Sequence, residues 1–290
     1  MVYLKKFVLP SEQAENAVIY GEARTCFNSF YPFNVFPQKG LREIEFDTIT
    51  VFCGGNGSGK STLLNVIARK LNAVRFSEFN DSAFFDTFVD MCYQESRTAS
   101  RSYVLTSDDV FDYALNARSI NGNLDDRRNE LFEKYVEVRN EIYTNPDIGR
   151  LTGLHDYDRW SETRDILSKN VTQSQFIKKR VASEIDLCSN GETAMRYFVD
   201  RIDEDALYLL DEPENSLSVE RQIELAEYIS ATARATRSQF IIATHSPILL
   251  SMPYVKIYNL DAHPVSVCKW TELPNVRKYF DFFMEHKNEF

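Results

Sequence analysis

The chain has 290 residues, 33 basic and 43 acidic side chains and a formal net charge of −10. With 43% hydrophobic and 26% charged residues, and only ten Gly and nine Pro, it is neither disordered nor collagen-like nor low in complexity. The acidic balance excludes a generally basic coat for nucleic acid but not a local basic groove. Cysteines stand at 26, 53, 92, 188 and 268, an odd number with no C-x-x-C pair. That pattern argues against a disulfide framework or a zinc site and fits a reducing, cytoplasmic setting. The opening MVYLKKFVLPSEQAE lacks the apolar stretch of a secretory signal. The longest apolar runs fall short of the ~18–20 residues of a membrane helix, so any span must come from another chain.

Residues 1–50 read as β-rich. Val2 to Val8 predicts a short strand. Leu41 to Phe46 alternates Leu41, Ile44 and Phe46 with Arg42, Glu43 and Glu45, the pattern of a half-exposed strand. Thr48 to Cys53, TITVFC, is β-branched and apolar, as in a strand buried on both faces. Ser61 to Leu71 carries an apolar stripe of Leu63, Leu64, Ile67 and Leu71 at helical spacing. Residues 121–185 are polar and helical, with Leu124, Leu131, Tyr135, Val138 and Ile142 along one face and a break at Asn145-Pro146. A second helix is expected from Thr163 to Ile185. Such stripes ordinarily pack against the domain; a short projecting helical lobe is the alternative. From Ala206 the pattern is compact: ALYLLDE as a buried strand, Val219 to Thr232 as a helix, SQFIIA (238–243) as another buried strand. Lys256 to Leu260 and Val265 to Trp270 are further strands. Strands alternating with helices predict an α/β fold with a largely parallel sheet.

The segment 54–62, GGNGSGKST, contains Gly54-x-x-x-x-Gly59-Lys60-Ser61 between a buried strand and an amphipathic helix. Glycines at Gly54, Gly57 and Gly59 let the backbone curl. The N–H groups around Asn56 and Ser58 then point at phosphate oxygens. The helix start adds positive potential, Lys60 reaches the β- and γ-phosphates, and the Ser61 hydroxyl ligates Mg²⁺. Thr62 adds a hydroxyl toward the α-phosphate. In LYLLDEPENSLS (207–218), Asp211 emerges at the end of a buried strand, where a carboxylate can hold Mg²⁺ through water. Glu212 follows as a general base for an attacking water. In ATHSPILL, His245 stands just past a second buried strand, expected beside that of Asp211, where a neutral imidazole can sense the γ-phosphate. Ser189-Asn190-Gly191-Glu192 precedes the helical TAMRYFVDRI; taken alone, it is an N-cap with a capping-box glutamate.

In this order the pieces resemble the ABC-type ATPases. GGNGSGKST resembles Walker A, SNGE the signature motif and LYLLDEP Walker B. ENSLS (214–218) resembles the D-loop and ATHSP the switch histidine. The signature departs from LSGGQ toward the S-x-G-E form of SMC, RecF and OLD-type heads. With Tyr31-Pro32-Phe33 upstream, the whole is similar to stand-alone bacterial predicted AAA-family ATPases with an ABC-type head. The fold expected is therefore an ABC-type P-loop NTPase head: a mixed, mainly parallel sheet core, an antiparallel β part and a helical lobe. It forms one domain over 1–290, with the lobe at approximately 77–188 inserted in a core of 1–76 and 189–290. The 129 residues from Lys60 to Ser189 leave no room for a long SMC-type coiled coil.

The resemblance implies ATP and Mg²⁺ as ligands and an ATP-dependent, head-to-tail homodimer. Each nucleotide lies between one Walker A and the partner's signature. Ser189, Asn190, Gly191 and Glu192 then act in trans, and hydrolysis by Glu212 reopens the dimer. Gln94 and the block 107–109 are alternatives for the Q-loop. Tyr31 or Phe33 stacks on adenine, unless the aromatic cluster is core. The head type points to DNA maintenance or defence against foreign DNA. The other readings are an ATP-gated regulatory subunit of a separate nuclease or toxin and, behind both, a transporter's nucleotide-binding subunit. Charge adds little. Residues 201–230 carry 2 basic and 9 acidic side chains, and 121–185 carry 11 and 12. Lys178-Lys179-Arg180 is the one basic triplet of that second stretch.

Overall fold

In the computed structural model, residues 2–24, 26–97, 101–141, 163, 166, 172–178, 181, 190–202, 205–215 and 217–290 are described. The chain divides into two compact units, 1–111 with 189–290, and 112–188.

The first unit is built on two sheets. The strands β1 (Leu4–Val8), β2 (Glu43–Glu45) and β4 (Tyr93–Ser96) form an antiparallel sheet in the order β2-β1-β4. The larger sheet contains β3 (Ile49–Cys53), β5 (Arg101–Thr106), β6 (Ala206–Asp211), β7 (Gln239–Thr244), β8 (Lys256–Asn259) and β9 (Ser266–Cys268). Its order is β5-β6-β7-β3-β8-β9. All neighbours pair parallel except β8 and β9. The expected mixed α/β architecture is thus present. β3 and β7 are buried at every position, which is why TITVFC and SQFIIA read as unbroken apolar runs.

The helix α2 (Lys60–Lys70) packs on β5, β6 and β7, and buries Leu63, Leu64, Val66 and Ile67 completely. The stripe read from the sequence is therefore its core face. Residues 1–50 are less uniformly β than expected. Ser11 caps α1 (Glu12–Gly21) by accepting from the Ala14 N–H, the standard way a hydroxyl satisfies an orphan donor of a first turn.

The lobe expected from residue 77 starts later. Residues 77–111 contribute α3 (Phe85–Met91), β4 and β5 to the first unit, because β5 pairs along its whole length with β6. At the end of β5, Thr106 and Asp109 form a reciprocal cap. The Thr106 N–H donates to Asp109 Oδ2 at 2.8 Å and the Asp109 N–H to Thr106 Oγ1 at 3.2 Å. There α4 (Ser107–Glu141) begins. Within the second unit Leu131, Tyr135 and Ile166 are buried together, with Val138, Ile177 and Val181 packed against them. Of the proposed helical face, Leu131, Tyr135 and Val138 therefore do face a core; Ile142 and the Asn145-Pro146 break lie outside the described residues. So does most of the second expected helix, of which α5 (Gln173–Lys178) is described.

Aromatic side chains of residues 27–36 pack on α3 and on Phe84 just before it. Phe33 and Phe36 meet Phe88, Tyr31 meets Phe85, and Phe27 and Phe30 meet Phe84, all with centroids 4.8–6.2 Å apart. The polar counterpart is Gln239 of β7, completely buried. Its Oε1 accepts from the Tyr3 and Leu4 N–H groups at 2.8 and 2.9 Å. Its Nε2 donates to the Leu4 and Asp47 carbonyls at 2.9 and 3.1 Å. One amide thus serves four backbone groups of the first strand and the β2–β3 turn.

Replacing Gln239 with Leu should leave those groups buried and unpaired, at about 1–3 kcal/mol each before relaxation. A loss of at least ~3 kcal/mol in the denaturant-unfolding free energy is expected. A loss below ~1 kcal/mol would show that water or neighbouring side chains take over these bonds.

Candidate nucleotide site

Three loops leave the same edge of the larger sheet. Parallel pairing aligns Asp211 of β6 with Ala243 of β7, and Thr244 of β7 with Cys53 of β3. The loop after β3, the acidic turn after β6 and the histidine turn after β7 therefore emerge side by side. In parallel sheets, the carboxyl ends of the strands are where ligands bind.

The loop after β3 is the glycine-rich segment. A Cβ at Gly54 would fall 2.6 Å from Ser58 Oγ, so glycine is required there. Gly59, at φ +91°, caps α2 in the left-handed region and is backed by Val35 and Phe36 of the aromatic loop. Ser58 Oγ is buried without a hydrogen-bond partner. Asp261, in the β8–β9 connection, accepts from the Gly55 N–H at 2.8 Å and braces the loop from outside. Lys60, only 4% exposed, donates to the Gly54 and Gly55 carbonyls at 2.8 and 3.2 Å, and its Nζ lies 3.5 Å from Glu212 Oε1.

Ser61 Oγ donates to Asp211 Oδ1 at 2.9 Å. Burial pushes the Asp211 carboxyl up to about 6; the Ser61 bond opposes this, the Glu212 charge adds to it, and Arg75 and Lys60 oppose it. A hydroxyl and a carboxylate in contact form a hard-oxygen pair suited to Mg²⁺, which commonly takes one or two protein ligands and completes its shell with water and phosphate. Among the described residues, no three His, Cys, Asp or Glu side chains are grouped to hold a metal alone. The orphaned Ser58 hydroxyl and the cradle that a Cβ at Gly54 would fill fit a phosphate in the loop. The donor set fits Mg²⁺ beside it.

Glu212 adopts φ +47°, rare for a residue with a side chain. Its N–H donates to the Ala243 carbonyl at 2.8 Å, and its Oε2 accepts from Asn215 Nδ2 at 3.1 Å. Oε1 is left facing Lys60 and, at 3.9 Å, His245 Nδ1. His245 is half exposed beside Glu214. Glu214, nearly fully buried, is the clamp of this corner. Its Oε1 accepts from Thr244 Oγ1 at 2.6 Å and from the His245 and Ser246 N–H groups at 2.9 and 3.2 Å.

A cleft of about 530 Å³ opens here, lined by Ser61, Asp211, Glu212, Asn215 and Arg75, with Ser107 and Asp108 on its rim. The sequence reading missed Arg75. Val74 bridges in parallel to Tyr103, extending the sheet by one residue and delivering Arg75 to the cleft. There its guanidinium donates to Asn65 Oδ1 and stacks 4.7 Å over Phe79. Burial draws Arg75 below its ordinary value, against the pull of Asp109 and Asp211. No short motif announces Arg75 or Asp261; each is brought in by strand pairing or a distant turn. Glu214 was read only as the start of the D-loop, although a carboxylate two residues past Glu212 was in plain view.

The remaining expected residues divide. Ser107 and Asp108 of the 107–109 block line the cleft. Gln94 does not appear among the described residues lining it; it lies in β4, opposite Phe7. The Tyr31 hydroxyl donates to Thr62 Oγ1 at 3.1 Å, so Tyr31 touches the nucleotide loop's own helix, while Phe33 is buried in the core and offers no face to a base. The helix α6 (Asn190–Arg201) follows the expected signature, and Glu192 Oε1 accepts from Arg221 at 3.1 Å. Arg221 belongs to α7 (Val219–Ala235). Ser189 and the side chains of Asn190 and Gly191 lie outside the described residues.

The fold and this site have the form of a P-loop ATPase head. Residues 117–251, just under half of the chain, match a family model described as "AAA domain, putative AbiEii toxin, Type IV TA system". That segment holds the signature, Walker B and switch-histidine motifs, and leaves out the glycine-rich loop. No curated protein matches the chain. Among solved structures, the Smc head domain with an extended coiled coil bound to the C-terminal domain of ScpA, from Pyrococcus furiosus, is 13% identical. It has a TM-score of 0.44, over 97% of this chain and 100% of that one. An SmcHead bound to the C-winged helix domain of ScpA is 17% identical at TM-score 0.41, over 95% and 99%. A putative metal-chelate type ABC transporter in an inward-facing conformation is 17% identical at 0.37, over 81% and 78%. These likenesses are distant, and the class rests on the site's own geometry. No helix among the described residues is long and apolar enough to cross a membrane.

Because the folded protein holds the Asp211 proton where the unfolded chain has lost it, this group's contribution is complete below about pH 4 and declines as pH rises through about 6. Asp211→Asn keeps an acceptor for Ser61 and removes the buried charge. It should raise nucleotide-free stability at pH 7 by up to ~3 kcal/mol and flatten the pH 4–7 stability profile. An Asn variant less stable than the parent at pH 7 would contradict this account of the cleft.

Proposed function

We propose that the protein binds and hydrolyses ATP with Mg²⁺ and works as a head-to-tail homodimer switched by the nucleotide. The observation that carries this reading is the convergence of Lys60, the Ser61–Asp211 pair, Glu212 and His245 at one sheet edge. Loop N–H groups from Asn56 to Thr62 receive the phosphates. Lys60, lying across the Gly54 and Gly55 carbonyls, needs only a side-chain rotation to face a phosphate in the loop. Ser61 and Asp211 would hold Mg²⁺, which supplies charge neutralisation on the phosphates when bound. Glu212 accepts the proton of the attacking water at Oε1, the oxygen that Asn215 leaves free. His245, anchored by Glu214 through its backbone, faces that same oxygen and positions the water. Arg75 adds a second cation to the wall.

The signature Ser189 and Gly191 act from the partner subunit, where the start of α6 presents its positive end to the γ-phosphate. Closure on ATP and reopening after hydrolysis give a shape change as output. That output serves DNA maintenance or defence against foreign DNA. The second reading is ATP-gated control of a separate nuclease or toxin. It is favoured by the matched family's description, which names a toxin–antitoxin system.

Lys60→Ala should lose nucleotide binding or turnover. Glu212→Gln should bind ATP, lower turnover by about 10²–10⁴-fold and persist as a closed dimer. A normal rate in that variant removes Glu212 as the base. Ser189→Arg should bind ATP as a monomer and fail to close; ATP-driven dimers at wild-type affinity would overturn the in-trans assignment. Tagged Glu212→Gln, pulled from the native host with Mg-ATP, separates the roles. Recovery of DNA in a nuclease- and salt-sensitive manner supports the first, and a stoichiometric protein supports the second.

A further inference from the structure

After the short α8 (Pro247–Leu250), the last helix, α9 (Pro274–Glu285), follows β9 and a short turn (Trp270–Glu272). Proline at its first position suits a helix start, where no N–H partner is lost. Only Val276 is buried; every residue from Arg277 to Glu285 is exposed. Yet the composition is that of a core. Tyr279, Phe280, Phe282, Phe283 and Met284 are each 50–56% exposed, and Phe290 just beyond is 94% exposed. At helical spacing Val276, Tyr279, Phe280 and Phe283 share one face with Phe282 and Met284 on its flanks, while Arg277, Lys278, Asp281 and Glu285 occupy the other. The apolar stripe therefore begins in the core at Val276 and runs out onto a helix whose apolar residues stay half exposed, Phe283 meeting Phe290 and Phe282 meeting His286 of the same segment.

Two physical facts require a cover. A helix of 12 residues without packing is marginal in water, since nucleation costs more than so few bonds return. A contiguous apolar patch of this size is rare on a monomer. Charge narrows the occupant. Residues 274–290 carry three basic and three acidic side chains, so a strongly charged partner gains nothing there. Two copies of a chain with net charge −10 meet at this place without local repulsion. Area agrees. The six apolar side chains named above, four aromatics and Met284 on the helix and Phe290 beyond it, offer about 100 Å² each, roughly 600 Å² per copy and about 1,200 Å² for a pair, the lower bound of a stable interface.

We infer that α9 is a self-association surface. Two copies of the chain pair through this helix about a two-fold axis, with Phe280 and Phe283 of each at the centre. Isologous pairing suits a patch whose aromatic edges and faces complement one another. This contact is independent of nucleotide. It tethers two heads and raises the effective concentration for any nucleotide-driven contact between them.

Light scattering on the full-length protein without nucleotide tests the proposal. The wild type and Lys60→Ala should both be dimers at tens of micromolar. Phe280→Glu/Phe283→Glu should be monomeric, with its melting temperature within a few degrees of the parent. In the wild type, hydrogen exchange over 277–285 should slow as protein concentration rises, a reading that needs no variant. A wild-type monomer at tens of micromolar overturns the proposal and leaves another protein as the occupant of α9. So does a double variant that stays dimeric, or exchange over 277–285 that is independent of concentration.

Discussion

The parallel register of β6, β7 and β3 is the constraint on which the site depends. Asp211, Ala243–Thr244 and Cys53 stand at one level because neighbouring strands share ladder bonds, and a ladder cannot slip by one residue without moving every side chain of the strand to the opposite face. Buried on both faces, these strands have no tolerance for such a slip. Three turns distant in sequence are thereby held within a few ångströms of each other, with no disulfide among the described residues to do it.

Two adjacent carboxylates at that edge face different surroundings. Asp211 looks inward to Ser61, where burial raises its proton affinity until a cation compensates. Glu212 is turned the other way by its left-handed backbone, fastened to the Ala243 carbonyl, and keeps Oε1 toward Lys60 and His245. On the proposed mechanism, neighbouring acids would thus serve as a metal-side ligand and a water-side base through backbone direction, not through any difference in side-chain chemistry. The third acid, Glu214, binds the β6 turn to the β7 turn through three donors.

The same economy appears behind the glycine-rich loop. Val35 and Phe36 press against Gly59 from an aromatic segment whose other rings pack on α3 and on Phe84 just before it. Tyr31 ties that segment to Thr62. Packing and phosphate cradle are therefore one piece, and the YPF segment reads as a support for the loop as much as a wall for a base.

Local chemistry made several elements legible in the chain: TITVFC before glycines, LYLLDE, SQFIIAT before histidine, and the Leu63–Ile67 stripe. In each, burial or helical period is a property of a few consecutive residues. Strands β4 and β5, helix α1 and the late start of the lobe were not legible. Their apolar residues are few, and their place is set by pairing with strands far away. Gln239 looked like an ordinary polar residue at the start of a strand, and only the fold shows it serving four backbone groups. The residue types at the nucleotide loop and acidic turn are dictated locally, because a phosphate cradle needs glycine curvature and a base needs a carboxylate. The company those residues keep — Arg75 delivered by a one-residue bridge, Asp261 from the β8–β9 connection, Glu214 across two turns — is decided in three dimensions. Coulomb and hydrogen-bond forces act over ångströms, and only folding brings residues 150 or 200 apart into that range.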